Sequence, residues 1–155
     1  YGINYGISYK GFDISMTWAG AAKTSRMLND VFRYPFGQTN QRSLMKYFVT
    51  DTWTQKGDAA KYPAISFVNK SNNYYDSDLW LRDASYLRLK NVEVGYSFSK
   101  KTLEKMHLGS LRVYATGYNL LTFDKLGVID PESKSAARAT YPLVMVINFG
   151  LKVGF

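Results

Sequence analysis

The residues able to do chemistry are few and scattered. The chain has no cysteine and one histidine, His107. Disulfides, thiolate chemistry and Cys-ligated metals are therefore excluded, and His-rich metal centres with them. His107 as a general base would need a nucleophile within reach. No Ser or Cys motif accompanies it, and a solvated residue in a short connection is the plainer reading. Asp76 with Asp78, and Asp130 with Glu132, offer carboxylates to a hard cation. Such a cation takes six or more oxygens, no loop motif here supplies them, and turn-forming acids account for both pairs. No nucleophile, acid–base pair, metal set or cofactor motif emerges, so the expectation is a non-enzymatic chain with neither metal nor cofactor.

Five large aromatics stand apart: Trp53, Tyr62, Tyr74, Tyr75 and Trp80. Flat apolar rings stack on sugars or peptide side chains and anchor protein interfaces; they also pack loops against themselves. Both readings stay open at this point. The formal charge is +8, from 20 Lys and Arg against 12 Asp and Glu. The basic residues are spread out, and the densest run, Ser99 to Lys105, is short and includes Glu104. Without a module motif beside it, this charge does not predict nucleic acid as a partner.

The elements that must position these residues read by period two. Tyr1, Ile3, Tyr5, Ile7 and Tyr9 share one parity; Gly2, Asn4, Gly6, Ser8 and Lys10 share the other. This is a strand with one apolar face. Lys10-Gly11 forms a tight turn, with Gly free to take positive φ. Phe12, Ile14, Met16 and Trp18 then share a face against Asp13, Ser15, Thr17 and Ala19. Regularity returns at Ala84, where Leu87 and Leu89 hold one parity and Val92, Val94, Tyr96 and Phe98 the other. That slip at Lys90-Asn91 predicts a bulge. Leu111, Val113, Ala115 and Gly117 alternate with Arg112, Tyr114, Thr116 and Tyr118. Leu143, Met145, Ile147, Phe149, Leu151, Val153 and Phe155 close the chain on one face. The expected strands are about 1–10, 12–20, 84–98, 110–122 and 142–155.

Between them lie two long irregular spans, 21–82 and 123–141, and two short ones, 10–11 and 99–109. The first holds Pro35, Gly37, Gly57, Pro63 and the polar run Asn69 to Asn73, with a short helix near 41–48 suggested by Leu44, Tyr47 and Phe48. A loop of that length is unusual in a compact soluble domain. The longest unbroken aliphatic run, Leu143 to Ile147, is far short of the roughly 20 residues of a membrane helix. Membrane barrels escape that test, because their strands alternate. Strands of about 9–11 residues cross a bilayer when tilted, and outer-membrane barrels combine short periplasmic turns with longer outer loops. If Phe155 lies on the periplasmic side, both short turns fall inside and both long spans outside. Tyr9, Phe12, Tyr96, Phe98 and Phe155 then share the inner interface, where amphipathic rings belong, and Trp18 and Tyr141 lie near the outer edge. Five strands cannot close such a barrel. With both ends already inside strand patterns, the expectation is a section of something longer, or a processed product.

The fold expected is all-β: an antiparallel transmembrane β-barrel segment of about five strands with long extracellular loops. The runner-up is a secreted all-β module that binds carbohydrate through its aromatics. A soluble module would bury its alternating apolar face; a barrel section would leave it for lipid.

Asp83 to Phe98 (DASYLRLKNVEVGYSF) resembles the C-terminal barrel of the SusC/RagA family of TonB-dependent outer-membrane transporters, as does Leu111 to Thr122 (LRVYATGYNLLT). Asp51-Thr52-Trp53-Thr54 with Ala60-Lys61-Tyr62-Pro63 is similar to that family's Trp-Thr…Tyr-Pro loop. Asp130-Pro131-Glu132, Tyr141-Pro142 and the strand ending at Phe155 also fit. The resemblance runs through nearly the whole chain in the right order. It implies the C-terminal strands of a barrel of roughly 22 strands, in the outer membrane of a Gram-negative bacterium. It implies energised import of oligosaccharides or peptides, with a SusD-like surface lipoprotein as lid. The plug and the TonB-contacting segment are not in this stretch, so its other partners would be the remaining barrel and plug, the TonB complex through them, and outer-membrane lipid. Trp53, Tyr62, Tyr74, Tyr75 and Trp80 become candidates for substrate or lid contact. Phe149, Leu151, Val153 and Phe155 become the candidate signal read by the barrel-assembly machinery.

Overall fold

The structure is a computed structural model describing residues 1–36, 44–66, 72–133, 141 and 143–155. Gly37, residues 41–43 of the expected helix, 69–71 of the polar run and Pro142 lie outside these. The described chain divides into two compact units: residues 1–22, 86–124 and 143–155 in one, and 23–85 and 125–142 in the other.

The first unit is a five-stranded antiparallel sheet. Its strands are β1 (Gly2–Tyr9), β2 (Phe12–Ala21), β5 (Tyr86–Ser97), β6 (Ser110–Asp124) and β7 (Val146–Gly154), in the order β1-β2-β5-β6-β7. Neighbours in sequence within this unit are neighbours in space. Lys10 and Gly11 both take positive φ, 47° and 88°, the backbone of a type I′ turn, whose twist matches that of the strands it joins. Between β5 and β6 the chain folds a short helix, α2 (Lys100–Met106), which alternation does not predict. It turns Leu103 inward and ends at His107, which takes a left-handed conformation and gives its N–H to the carbonyl oxygens of Glu104 and Leu103. Lysines at 100, 101 and 105 are good helix formers facing water.

The parity slip at Lys90-Asn91 is a register shift. The ladder runs Thr17↔Asn91 then Trp18↔Leu89 on one side of β5, and Asn91↔Tyr118 then Leu89↔Leu121 on the other. Across the same rung β2 advances by one residue, β5 by two and β6 by three. Asn119 takes up the surplus at φ 52°, a conformation Asn tolerates better than most residues. Its side-chain amide donates to the Val144 carbonyl at 3.2 Å. β6 runs two residues past the expected end. β7 starts at Val146 rather than 142, so Leu143 to Met145 stand outside the ladder.

The second unit occupies the spans expected as loops 21–82 and 123–141, and it is built rather than irregular. β3 (Ser25–Met27) pairs antiparallel with β4 (Leu81–Asp83). Helix α1 (Lys46–Thr50) follows Met45, and Thr52 makes an isolated parallel bridge with Tyr62. Ala84, expected to open a strand of the sheet, instead gives its N–H to the Thr24 carbonyl at 2.9 Å. Phe48, Tyr62, Tyr74 and Trp80 form the core of this unit, with Met27, Tyr34, Leu44, Met45, Tyr47, Ile65 and Leu79 packed on it. Aromatic rings supply large apolar area from few residues, and a span this rich in them can fold on itself. No helix among the described residues is long and apolar enough to cross a membrane.

Candidate functional site

The sheet registers sort its side chains into two chemically distinct faces. Ile3↔Trp18, Tyr5↔Met16, Ile7↔Ile14 and Tyr9↔Phe12 set one face on β1 and β2. It continues through Phe12↔Tyr96, Ile14↔Val94 and Met16↔Val92, then through Val113, Ala115 and Gly117 to Leu151, Phe149 and Ile147. Every side chain in that list is apolar or aromatic. It is also open: Ile3, Phe12, Ile147, Phe149 and Leu151 are all more than half exposed. A soluble sheet would bury such a face under a second layer. Aromatics bracket it. Phe12 and Tyr96 have ring centroids 4.5 Å apart at the turn end, with Phe98 5.0 Å from Tyr96, and Trp18 stacks on Phe123 at 6.4 Å toward the other end. From Phe12 to Trp18 the strand rises about 20 Å, and a membrane barrel's apolar band stands about 25 Å tall between aromatic girdles.

The opposite face is polar and tightly connected. Arg112 on β6 donates to Asp13 on β2 at 2.5 Å and to Glu93 on β5 at 2.7 Å. One guanidinium thereby ties three strands together. Gly95 lies beneath it, and a Cβ there would collide with the Arg112 guanidinium. Tyr114 lies likewise over Gly150. Arg88 donates to Thr122 at 2.8 Å, and the residue is 3% exposed. Beside the Arg112 network is a shallow cavity of about 240 Å³ lined by Ser15, Thr17, Asn91, Glu93, Thr116 and Tyr118. Sequence reasoning missed this network, since Asp13 and Arg112 are 99 residues apart and only the sheet order joins them. The sequence signal for this crowding is glycine inside strands, as at Gly95 and Gly150, where glycine marks a close approach.

In the second unit the five candidate aromatics divide. Trp80 is fully buried, and Tyr62 and Tyr74 are nearly so. Trp80 stacks on Tyr62 at 5.8 Å and sits 6.1 Å from Tyr74; its Nε1 donates to the Asn73 carbonyl at 2.8 Å. Arg82 donates to the Tyr62 hydroxyl at 3.0 Å. In this arrangement Tyr62, Tyr74 and Trp80 are the hydrophobic centre on which the unit condenses. Trp53 is 44% exposed and Tyr75 68%. Trp53 is held by backbone bonds, its N–H giving to the Tyr62 carbonyl at 2.9 Å. Next to it, Asp58 caps a turn by accepting from the Thr54 N–H and hydroxyl and the Gln55 N–H. Those bonds, the Thr54 hydroxyl foremost, hold its carboxyl below its ordinary pKa. Val49, four residues before Trp53, is also exposed.

One carboxylate of each acidic pair is engaged within the chain. Asp76 accepts from Arg33 at 2.5 Å, and Asp130 accepts from the Glu132 N–H at 2.9 Å. No cluster of three metal-ligating side chains occurs among the described residues. On β7, Phe149, Leu151 and Val153 share the apolar face, and Phe155 is fully exposed just past the strand.

No family model matches the chain. It is 30% identical over 157 residues to the TonB-dependent receptor SusC of Bacteroides thetaiotaomicron, covering 99% of this chain and 15% of that one. The chain belongs to the SusC/RagA family of TonB-dependent receptors. TonB-dependent receptor P3 of Formosa agariphila is 25% identical over 169 residues, covering 99% of this chain and 16% of its own. The chain thus spans about a sixth of the length of these curated relatives. The RagAB peptide importer superposes with a TM-score of 0.73 in its open-open state and 0.76 in its closed-closed state, at 26% and 25% identity, over 99% of this chain and 17% of that one. The two-faced antiparallel sheet described above is thus a SusC/RagA-type fold.

Proposed function

We propose that this chain is a wall section of an outer-membrane TonB-dependent transporter that imports oligosaccharides or peptides with a SusD-like lipoprotein at its mouth. The observation that carries the reading is the open apolar face, bracketed by aromatics and backed by a connected polar face. In this reading the apolar face meets lipid and the Arg112 face lines the lumen, close to a plug supplied by the rest of the receptor. The turns at 10–11 and 98–109 lie on the periplasmic side. The second unit lies outside, where Trp53 and Tyr75 offer rings to substrate or lid over the support of Tyr62, Tyr74 and Trp80. Phe149, Leu151, Val153 and Phe155 form the edge that the barrel-assembly machinery reads, by strand addition. The curated relatives are receptors and a solved structural neighbour is a peptide importer, which supports a non-enzymatic role for this chain.

Adjacent residues on β7 test the reading. Ile147→Arg puts a charge on the apolar face, where it costs about 2–4 kcal/mol near a bilayer midplane; Asn148→Arg puts the same charge on the polar face. In the full-length receptor, Ile147→Arg is expected to deplete the assembled outer-membrane form while Asn148→Arg leaves it intact. Equal amounts of both would remove the lipid-facing assignment. Trp53→Ala with Tyr75→Ala is then scored for uptake and lid co-purification at unchanged receptor level; unchanged values for both readouts would reject the contact role.

A further inference from the structure

The two short connections and the end of β7 meet at one end of the sheet, and that end carries an excess of cations. Lys10 stands in the β1–β2 turn, and Lys100, Lys101 and Lys105 on α2, all exposed. Against them these connections carry a single acid, Glu104. None of the four lysines makes an ion pair with a described residue, whereas Asp13 and Glu93, the nearest acids on the strands below, are already bound by Arg112. The Lys10 ammonium instead lies 5.1 Å from the Tyr9 ring centroid. Leu103 anchors α2 by burial, which leaves Lys101 and Lys105 on the helix's far side from it.

Directly along the strands from these lysines, the apolar face is notched. Phe12, Val94, Tyr96, Val113, Ala115 and Phe149 line a shallow, open apolar depression of about 280 Å³. Phe12 follows Lys10-Gly11 in the chain and Tyr96 precedes Lys100 by four residues, so the depression and both cation-bearing connections lie at the same end of the sheet. An unpaired cationic rim at the same end as an apolar depression is complementary to one kind of molecule: an anionic headgroup on a hydrocarbon tail.

We propose that this corner binds an anionic glycerophospholipid of the periplasmic leaflet, with its phosphate among Lys10, Lys100, Lys101 and Lys105 and an acyl chain in the depression at Ala115. The proposal rests on the assignment of the apolar face to lipid and of the short turns to the periplasm. Lysine stems are suited to the task, since they lie along apolar surface while the ammonium stays in the headgroup layer.

The experiment uses the full-length receptor in nanodiscs of phosphatidylethanolamine containing a minority of phosphatidylglycerol, with enrichment of phosphatidylglycerol on the purified receptor counted by native mass spectrometry. Each lysine near an anionic surface is worth about a fivefold preference. Replacing Lys100, Lys101 and Lys105 by Gln is expected to cut enrichment at least about fivefold, and replacing them by Arg to retain it. Ala115→Leu fills the depression without touching charge and is expected to shorten lipid retention. Loss in both the Gln and Arg sets, or enrichment unchanged in the Gln set and in Ala115→Leu, overturns the proposal. A separate arm places Cys at position 101 and exposes intact cells to a maleimide too bulky to pass porins. Labelling only after the outer membrane is opened upholds the topology, and a lipid failure then counts against this proposal alone. Labelling of intact cells would sink the topology beneath it.

Discussion

Glycine and arginine are coupled on the polar face. Gly95 has no Cβ because the Arg112 guanidinium occupies that space, and Gly150 lies in the same relation to Tyr114. Gly6 is different: a Cβ there would meet only the Ile14 carbonyl oxygen, at 3.8 Å. The strand glycines therefore fall into two classes that no alternation pattern distinguishes. Gly150→Ala forces Tyr114 to move and is expected to cost about 1–3 kcal/mol, as overpacking does. Gly6→Ala is expected to be nearly neutral. The measurement is the denaturant midpoint for loss of the heat-modifiable band of the full-length receptor, and equal midpoints for the two variants would contradict the crowding at Gly150.

At the scale of elements, the strands were legible and the loop unit was not. Period-two alternation depends only on neighbours along the chain, so the five strands could be read from parity, and the bulge from the change of parity at Lys90-Asn91. The second unit is held by contacts between residues such as Phe48, Tyr62, Tyr74 and Trp80, whose spacing carries no period. Burial there is decided by which rings meet, so exposed Tyr75 and buried Tyr74, adjacent in sequence, could not be told apart. Helix α2 was missed for another reason: seven residues between two strands leave room for about two turns, too few to show a helical period. The loop unit also predicts a pH response. The Tyr47 hydroxyl donates to the Phe32 carbonyl, and burial foremost, with Tyr62 beside it, pushes its pKa up. A group with a raised folded-state pKa gives its full stability below its unfolded value, about 10 for Tyr, and loses it as pH climbs beyond that. The unit is therefore expected to become protease-sensitive within residues 23–85 above about pH 10, and Tyr47→Phe is expected to flatten that alkaline loss. An identical alkaline profile in the variant would rule Tyr47 out as the sensor.

For the whole molecule, the question is how the sheet's free borders are used. β1 has all eight residues exposed, and β7 is nearly as open. Unpaired strand edges are templates for further pairing, and in the proposed function the β7 edge serves assembly. Deleting Phe155 from the full-length receptor is expected to lower the assembled outer-membrane form well below that of Ile3→Ala. Ile3 is on the same apolar face, so loss of lipid contact alone would affect both variants alike. Quantifying folded receptor in outer-membrane fractions decides it, and parity between the two would leave Phe155 as ordinary wall.

The unequal rung between Thr17 and Trp18 reaches beyond local register. Because β2, β5 and β6 advance by one, two and three residues across it, the sheet acts there as a wedge, with its thick side toward β6. Extra residues bend and twist the strand that holds them, so in the proposed barrel part of the arc that rolls a wall into a cylinder would be encoded at Lys90 and Asn119. Neighbouring strands would inherit that bend rather than impose it.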